Sequence, residues 1–526
     1  MEENLEMIIC HVPKKHLLKK VLNEKTNKSV AELFIKIYLD NDDKNIVSIS
    51  TDTKPIIYNW NPNTTLYEKI NKNDLIGIVQ ITIDDYIRGE KRKIKGEELK
   101  KYNSVIIKIG SNTFISSTAD IVIGMIKDNE FIKKVDVDPD VVNFKNKIVN
   151  LKTGHSRYRK ITDLYTKTLD YDYHRRLKEG EKPDKKKIYA DEEKIKFIED
   201  MYSNICNDDH EDTECTKEFF GYCLTGRTDQ QRCFWSIGPT ASNGKSKLVE
   251  AFINCMKIYC TKLNSRTFDP NYSKNHKQMV ELYLQRFAYL EEMWRKNIDV
   301  DLLKDIVNGV TIGNVEIMYG TVKDIKIYFK LYVISNYDPT FINDNGMQRR
   351  GYLLNHTNKF VSEVDYKQLE DKTGHYIKDT KFGEKFLEDE YKLAIFHVLL
   401  PYAKKYYEDN NEMFTWEEDE KIVTSTKFED AWKVVCKEND RMADFIEKFY
   451  TKDKKSMVSK DSIYENYQKY YGATKWKDVL GDLKRLGYSY DCQKMCEGAG
   501  NKGTFYGIKY NGIPIKKLTN VVVDDD

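Results

Sequence analysis

FWSIGPTASNGKSKL, running from Phe234 to Leu248, sets a short apolar strand against a loop of small residues that ends in Gly-Lys-Ser. Such a loop turns backbone N–H groups inward around a phosphate chain, brings a lysine to the β- and γ-phosphates and offers a hydroxyl to Mg²⁺. Here the lysine is Lys245 and the hydroxyl Ser246, with Gly238, Pro239, Thr240, Ala241, Ser242, Asn243 and Gly244 as the cradle. Leu248, Val249, Phe252, Ile253 and Met256 then recur at helical spacing, so the loop runs from a strand into a helix N-terminus, where an anion is favoured. Gly238 lies six residues before Gly244, one more than the common pattern, so the loop is longer by a residue or begins at Pro239. A chance Gly-Lys-Ser in a surface turn would lack this strand and this helix.

The length of 526 residues suits roughly three domains of about 150 residues each. Lys plus Arg number 86 against 84 Asp plus Glu, so nucleic-acid affinity has to come from local patches and not from the global field. Lys, Asn, Ile and Tyr are favoured, the residue set that AT-rich codons supply. No apolar run approaches the roughly 18 residues that span a bilayer, and the MEENLEM opening lacks a signal-peptide layout, so an intracellular protein without a membrane partner is expected. The ten cysteines are scattered and read as reduced thiols. Cys206, His210, Cys215 and Cys223 are irregularly spaced for zinc, and Cys492 with Cys496 has no second ligand pair nearby.

The chain up to about Asp138 reads as α+β, with alternating patterns in IVSIS (Ile46 to Ser50) and SVIIKIG (Ser104 to Gly110) among helical ones. HRRLKEGEKPDKKK, His174 to Lys187, is too polar to build a core and reads as a linker. A helical region follows from about Asp191 to Leu224. Beyond the phosphate loop, FAYL (Phe287 to Leu290), IYF near Tyr328 and LYVIS (Leu331 to Ser335) are buried-strand candidates of a parallel α/β sheet with active residues at strand C-termini. A helix, YKLAIFHVLL, closes this region before Pro401, and the acidic WEEDEK stretch (Trp416 to Lys421) follows.

In the tail, helical spacing recurs at Met442, Phe445, Ile446 and Phe449, again near Ile463 to Tyr471, and again over Trp476, Val479, Leu480, Leu483 and Leu486. Two aromatic strands, YSY and TFYGIKY, joined by CEGAGNKG, complete a winged-helix-like pattern. Lys475, Lys477, Lys484 and Arg485 would then decorate the third helix and Lys502 the wing, where phosphates could be met. A solvated helix face explains the same charges. The expected domains are 1–190 (α+β), 191–405 (ATPase) and 428–516 (winged-helix-like).

The catalytic pattern is carried by segments downstream of the loop. FAYL ends in Glu291 and Glu292, where an NTPase needs one carboxylate to order Mg²⁺ and another to orient the attacking water. Ser246 and Glu291 are the metal candidates. LYVIS ends in Asn336, an amide able to sense the γ-phosphate. Arg349 and Arg350, thirteen and fourteen residues later, offer a guanidinium for a neighbouring subunit's γ-phosphate, which demands a ring. Accidental pairing on a helix surface is the plain reading of two adjacent glutamates, and a surface salt bridge that of two adjacent arginines.

In this order the motifs resemble those of a superfamily 3 helicase of the AAA+ class, of the poxvirus-type primase-helicase family found in large DNA viruses and some phages and plasmids. GPTASNGKS matches Walker A, LEE Walker B, DLLKDIVNG and the residues just after it the basic hairpin segment, ISN the sensor, and QRRGYLL the finger. The likeness extends to NLKTGHSRYR (Asn150 to Arg159), GYCLTGRTDQQ (Gly221 to Gln231) and YNWNPNTTLYEKI (Tyr58 to Ile70), and downstream to the tail. It implies ATP and Mg²⁺ as cofactors, single-stranded DNA or a forked duplex as substrate, a ring, hexameric by family, and replication in the host cytoplasm beside other replication proteins. Lys304, Lys323 and Lys326 are the pore candidates. Where relatives carry Gly-Gly-Asp after the hairpin lysine, this chain reads Asn308-Gly309-Val310-Thr311. Asp84 and Asp85 form an isolated acidic pair without the partners of a primase site, so a separate primase is expected. Other readings are a DNA-packaging or remodelling AAA+ ATPase, and an origin-binding or scaffold protein whose assembly ATP regulates.

Overall fold

The computed structural model describes residues 12–41, 45–50, 54–177, 184, 187–238, 241–269, 282–292, 298–309, 312–317, 321–325, 327–341, 345–409, 426–496 and 502–516. Its first unit opens with helices α1 (Lys14–Glu24) and α2 (Asn27–Leu39), the second capped by Thr26, whose side chain accepts from the Ser29 N–H. Strands β1 (Ile46–Ile49), β2 (Ile56–Asn61) and β3 (Leu66–Ile70) form an antiparallel sheet in that order. Helices α3 (Lys72–Glu90), α4 (Glu97–Ile109) and α5 (Asn112–Met125) complete the unit, and Val21, Phe34, Val79, Val105 and Val122 lie in its core. SVIIKIG, expected to alternate as a strand, is instead the end of α4. Its buried residues Tyr102, Val105 and Ile109 follow helical spacing, while Ile107 is 75% exposed. Asp84 of the acidic pair is bonded to Arg88 one turn on.

Strands β4 (Val141–Asn143), β5 (Ile148–Asn150) and β6 (Ser156–Arg157) make a small antiparallel sheet. Val142, Phe144, Val149, Leu169 and Tyr171 share one core with Ile198 and Tyr202 of α6 (Glu192–Ile205) and Phe219 and Phe220 of α7 (His210–Cys223). A boundary at 190/191 therefore crosses a continuous core. Arg159, buried, fastens the first unit to it: its guanidinium donates to Thr64 O at 3.1 Å on one side, and to Asn143 Oδ1 at 2.8 Å and Lys145 O at 2.6 Å on the other. Most of KEGEKPDKKK lies outside the described residues, but Arg176 pairs with Glu192 at 2.9 Å and His397 Nε2 donates to His174 O at 2.7 Å.

The central sheet comprises β7 (Cys233–Ile237), followed by helix α8 (Lys245–Met256), then β8 (Cys260–Lys262) and β9 (Phe287–Glu291). Helix α9 (Val300–Val307) leads to an antiparallel pair, β10 (Ile312–Ile317) and β11 (Thr321–Ile325), and then to β12 (Lys330–Ser335) and β13 (Gly351–Asn355). The order is β13-β7-β12-β9-β8, every neighbouring pair parallel. Alternation of the strands serves two cores: Phe234 and Tyr332 meet Leu248 and Phe252 of α8, whereas Cys233, Trp235 and Val333 meet Leu303 of α9. IYF is buried at Ile327 and Phe329 but is not a strand; pairing starts at Lys330.

Two short parallel strands, β14 (Lys359–Val361) and β15 (His375–Ile377), precede α10 (Asp389–Asp409). This helix does not end before Pro401, as its sequence suggests, but runs through it. One backbone hydrogen bond is lost there. Burial beyond the proline holds the last turns: Ala403 is buried, and Tyr406 donates its hydroxyl to Asp229 Oδ2 at 2.6 Å.

Helix α11 (Thr426–Glu438) lies against β13, and Trp432 stacks on Trp235 with centroids 5.0 Å apart. A Cβ on Gly351 would meet the Trp432 ring at 2.2 Å. The expected start of the tail at 428 is thus corrected: Phe428 and Trp432 belong to the cores of the central sheet. The tail's own core begins at Met442. It contains α12 (Arg441–Phe449), β16 (Tyr450–Ser459), α13 (Lys460–Tyr471), α14 (Trp476–Arg485), β17 (Ser489–Asp491) and β18 (Thr504–Tyr510), with its antiparallel sheet ordered β16-β18-β17. The sequence reading missed β16, whose lysine-rich alternation is broken by a register shift between Lys452 and Met457.

Candidate nucleotide site

The expected phosphate loop leaves the sheet at Ile237, between the C-terminal ends of β13 and β12. Gly238 and Gly244 shape it. A Cβ on Gly238 would meet Asn243 Nδ2 at 2.4 Å, and Gly244 takes a φ of 88° just before α8 begins. Lys245, first residue of α8, is buried, and its Nζ donates to Gly238 O at 2.7 Å and to Asn336 Oδ1 at 3.1 Å. Burial lowers the Lys245 pKa, and the negative charge of Glu292 opposes that shift. Ser246, Ala241 and Ser242 are exposed, and Asn243 is buried. Pro239 and Thr240 lie outside the described residues.

A second segment, which the sequence reading did not single out, braces the loop from behind. The His356 N–H donates to Ile237 O at 2.7 Å, the Phe360 N–H to Ser242 O at 2.7 Å, and Asn358 Nδ2 to Asn243 O at 3.0 Å. Ser236 Oγ lies 2.6 Å from His356 Nε2. Burial, helped by the charge of Lys245, pushes the His356 pKa down to about 3, so the ring is neutral. The only sequence signal was a polar His-Thr-Asn directly after an apolar strand.

The two glutamates separate. Glu291, last residue of β9, is bonded to Lys262 at the end of the neighbouring β8. Glu292 turns out of the strand with φ 55°, a backbone region that side chains other than glycine seldom enter. Its N–H donates to Ile334 O at 3.0 Å, and its Oε1 accepts from Asn336 Nδ2 at 2.9 Å. Lys245, Asn336 and Glu292 are therefore linked in one chain, from three strand ends. Glu291 stands outside it. A residue held in strained backbone at such a convergence fits a functional role better than a packing one.

The arginines separate too. Arg350 is 5% exposed, and its Nε and Nη2 donate to Asn308 Oδ1 at 3.0 and 2.8 Å while Nη1 donates to Gly346 O. Arg349 is exposed. Asn308, at the end of α9, follows the expected hairpin lysine Lys304, and its side chain serves Arg350.

Among the DNA-contact candidates, Lys477 and Lys484 on α14 are exposed, as are Lys475 and Lys502. Arg485 is not available: its guanidinium makes two bonds to the buried Asp440 carboxylate, at 2.7 and 2.8 Å. Lys304 lies on α9, where it pairs with Asp301 at 3.1 Å. Lys323 is in β11, opposite Val315, and Lys326 lies outside the described residues. Lys452, Lys454 and Lys455 add exposed positive charge on edge strand β16. Cys206, Cys215 and Cys223 are buried free thiols, and no group of His, Cys, Asp and Glu able to hold a metal ion occurs among the described residues.

Residues 31–219 match the protein family described as D5 N terminal like. A curated relative, "Putative helicase L207/L206" of Acanthamoeba polyphaga mimivirus, is 23% identical over 326 residues, which is 60% of this chain and 32% of that relative. The chain thus matches about a third of its relative's length. Among solved structures, the apo structure of the NrS-1 C terminal region (305–718) is similar at 12% identity and a TM-score of 0.32, over 70% of this chain and 95% of that one. Its A form gives 10% and 0.31 over 69% and 94%. Among the described residues no helix is long and apolar enough to cross a membrane.

Proposed function

We propose that the chain is a viral primase-helicase of the D5 type, an ATP-driven DNA helicase of replication with an AAA+ core acting as a ring. The observation that carries this reading is the chain of contacts from Gly238 O through Lys245 and Asn336 to Glu292, which gathers three motifs at one sheet edge. The Lys245 ammonium is bonded to a carbonyl and an amide oxygen, neutral ligands that a triphosphate would displace.

The cradle fits a nucleotide. Gly238 has no room for a Cβ, Gly244 supplies a left-handed turn, and the exposed Ser246 hydroxyl stands at a helix N-terminus. Mg²⁺, when bound, would neutralise phosphate charge; Ser246 would hold it, with Glu291 once that carboxylate leaves Lys262. Glu292 orients the attacking water and takes its proton, and Asn336 hands the Glu292 geometry to the γ-phosphate. Arg349, exposed on the loop before β13, acts on a neighbouring subunit's γ-phosphate, while buried Arg350 holds that loop in shape. In the tail, exposed lysines on α14 support a winged-helix-like contact with DNA phosphates.

The test is ATP turnover with and without single-stranded DNA, forked-duplex unwinding with ATP and Mg²⁺, and particle mass with and without nucleotide. DNA-stimulated turnover with unwinding is expected. Turnover indifferent to DNA favours the scaffold reading, and stimulated turnover without strand separation a packaging or remodelling motor.

A further inference from the structure

Two consecutive residues, Asn439 and Asp440, stand between the nucleotide site and the tail, and each holds a different side. Asn439 follows α11. Its Oδ1 accepts from the Phe341 N–H at 2.8 Å and its Nδ2 donates to Pro339 O at 3.0 Å, so one amide grips the segment that leaves Asn336 and leads towards Arg349. Its other Nδ2 contact, to Val435 O at 2.9 Å, ties that grip to α11, whose Trp432 donates Nε1–H to Met347 O at 2.9 Å. Asp440 faces the opposite way. It caps α12 by accepting from the Ala443 N–H at 3.0 Å and takes both arms of Arg485 at the end of α14, the helix bearing exposed Lys477 and Lys484.

We infer that the Asn439–Asp440 pair is a positioning relay that transmits DNA engagement by α14 to the Asn336–Phe341 segment and so sets how strongly DNA stimulates ATP hydrolysis. The relay rests on the proposed ATPase reading. Its physical basis is that both grips are two-pronged. Asp440 is 6% exposed and bonded to a guanidinium fork, so a shift of α14 moves the backbone at 440 instead of being absorbed by a loose side chain. With no intervening residue, Asn439 moves as well, and a displaced amide cannot keep bonds to both Phe341 N and Pro339 O. The segment that follows Asn336 is thereby biased.

The experiment compares full-length wild type, Asn439→Ala, Asn439→Asp and Asp440→Asn, each first checked for a native melting transition. ATP turnover is measured with and without a single-stranded oligothymidylate, and affinity for the same labelled oligonucleotide by fluorescence anisotropy. In each variant the ratio of stimulated to basal turnover should fall roughly fivefold or more, while oligonucleotide affinity measured without nucleotide stays within about twofold of wild type. Asn439→Asp keeps the acceptor for Phe341 and loses the donor to Pro339 and Val435, so it serves if Asn439→Ala does not fold. An unchanged ratio in the folded variants, or a loss of stimulation matched by an equal loss of DNA affinity, overturns the relay. A wild-type chain without ATP turnover overturns the proposed function instead and removes the relay with it.

Discussion

Arg350 commits its guanidinium to Asn308 Oδ1 inside the protein, while its neighbour Arg349 is exposed. Arg349→Ala is therefore expected to lower turnover by about a thousandfold or more, as loss of a finger does. Mixed with Lys245→Ala subunits it should recover part of the activity, because an intact loop then faces an intact finger across an interface. Arg350→Ala should behave differently, losing roughly 2 kcal/mol of stability as the half-buried Asn308 and Gly346 oxygens lose the donor that the buried guanidinium supplies. Denaturant midpoints and turnover in verified mixed rings separate the two; complementation by Arg350→Ala but not Arg349→Ala reverses the assignment.

Glu292→Gln is expected to bind ATP and hold it, with turnover reduced by about a hundredfold or more, since the amide cannot take the water's proton. Glu291→Gln should weaken the Mg²⁺ dependence and leave more residual turnover, because its carboxylate is bonded to Lys262 and lies outside the Lys245–Asn336–Glu292 chain. Lys245→Ala should abolish turnover in a folded protein. Nucleotide retention on a desalting column reports the trap, and finding it in Glu291→Gln alone would exchange the roles.

Truncation behind the tail has two outcomes, depending on where the cut falls. Removing residues from 428 deletes Phe428 and Trp432 from the cores around the sheet, and Trp432→Ala alone should cost about 3–5 kcal/mol. Cutting after Asp440 spares those residues and Asn439. That shorter deletion should stay folded, weaken DNA binding and lower the slope of log affinity against log salt by roughly one for each lost phosphate contact. Equal salt slopes would return the tail to a structural or partner-binding role.

Acid should loosen the brace behind the phosphate loop. The His356 pKa is depressed to about 3 in the fold against an ordinary value of 6.5, so between these limits the unfolded chain binds the proton that the folded one refuses. Stability is thus fully present above about pH 6.5 and falls as pH drops towards 3, by up to about 1.4 kcal/mol per pH unit from this residue. His397, pushed down to about 4, acts in the same direction. Denaturant unfolding at pH 7 and pH 5 should show a smaller difference in His356→Gln than in wild type; an equal difference would exclude His356 as a source.

Sequence alone carries the strand–loop–helix around Gly238 to Lys245, because it is written in consecutive residues whose apolar patterns on either side are strong. The strand candidates around Phe287 and Leu331 likewise emerge as neighbours in one sheet, since a buried parallel strand shows as an unbroken apolar run. Which of two adjacent arginines is exposed is not legible, because it depends on the turn into β13 and on Asn308, 42 residues away. SVIIKIG misleads for a local reason: apolar residues in succession satisfy either period, and only burial of Tyr102 upstream decides for the helix. Asn439 leaves no signal, as its partners Pro339 and Phe341 lie 100 and 98 residues earlier.

The contact between Gly351 and Trp432 bears on what the chain can become as well as on what it is. With the indole ring 2.2 Å from where a methyl group would sit, even alanine at 351 has to push α11 off the sheet. A saturation library at 351, scored by yield of folded protein, should therefore return glycine almost exclusively, whereas exposed positions of the same helix, such as Lys433, should accept most residues. Mutational tolerance would then reach a floor at a joint well away from the phosphates, and homologues able to exchange their tails freely would be those that keep this one unsubstituted carbon.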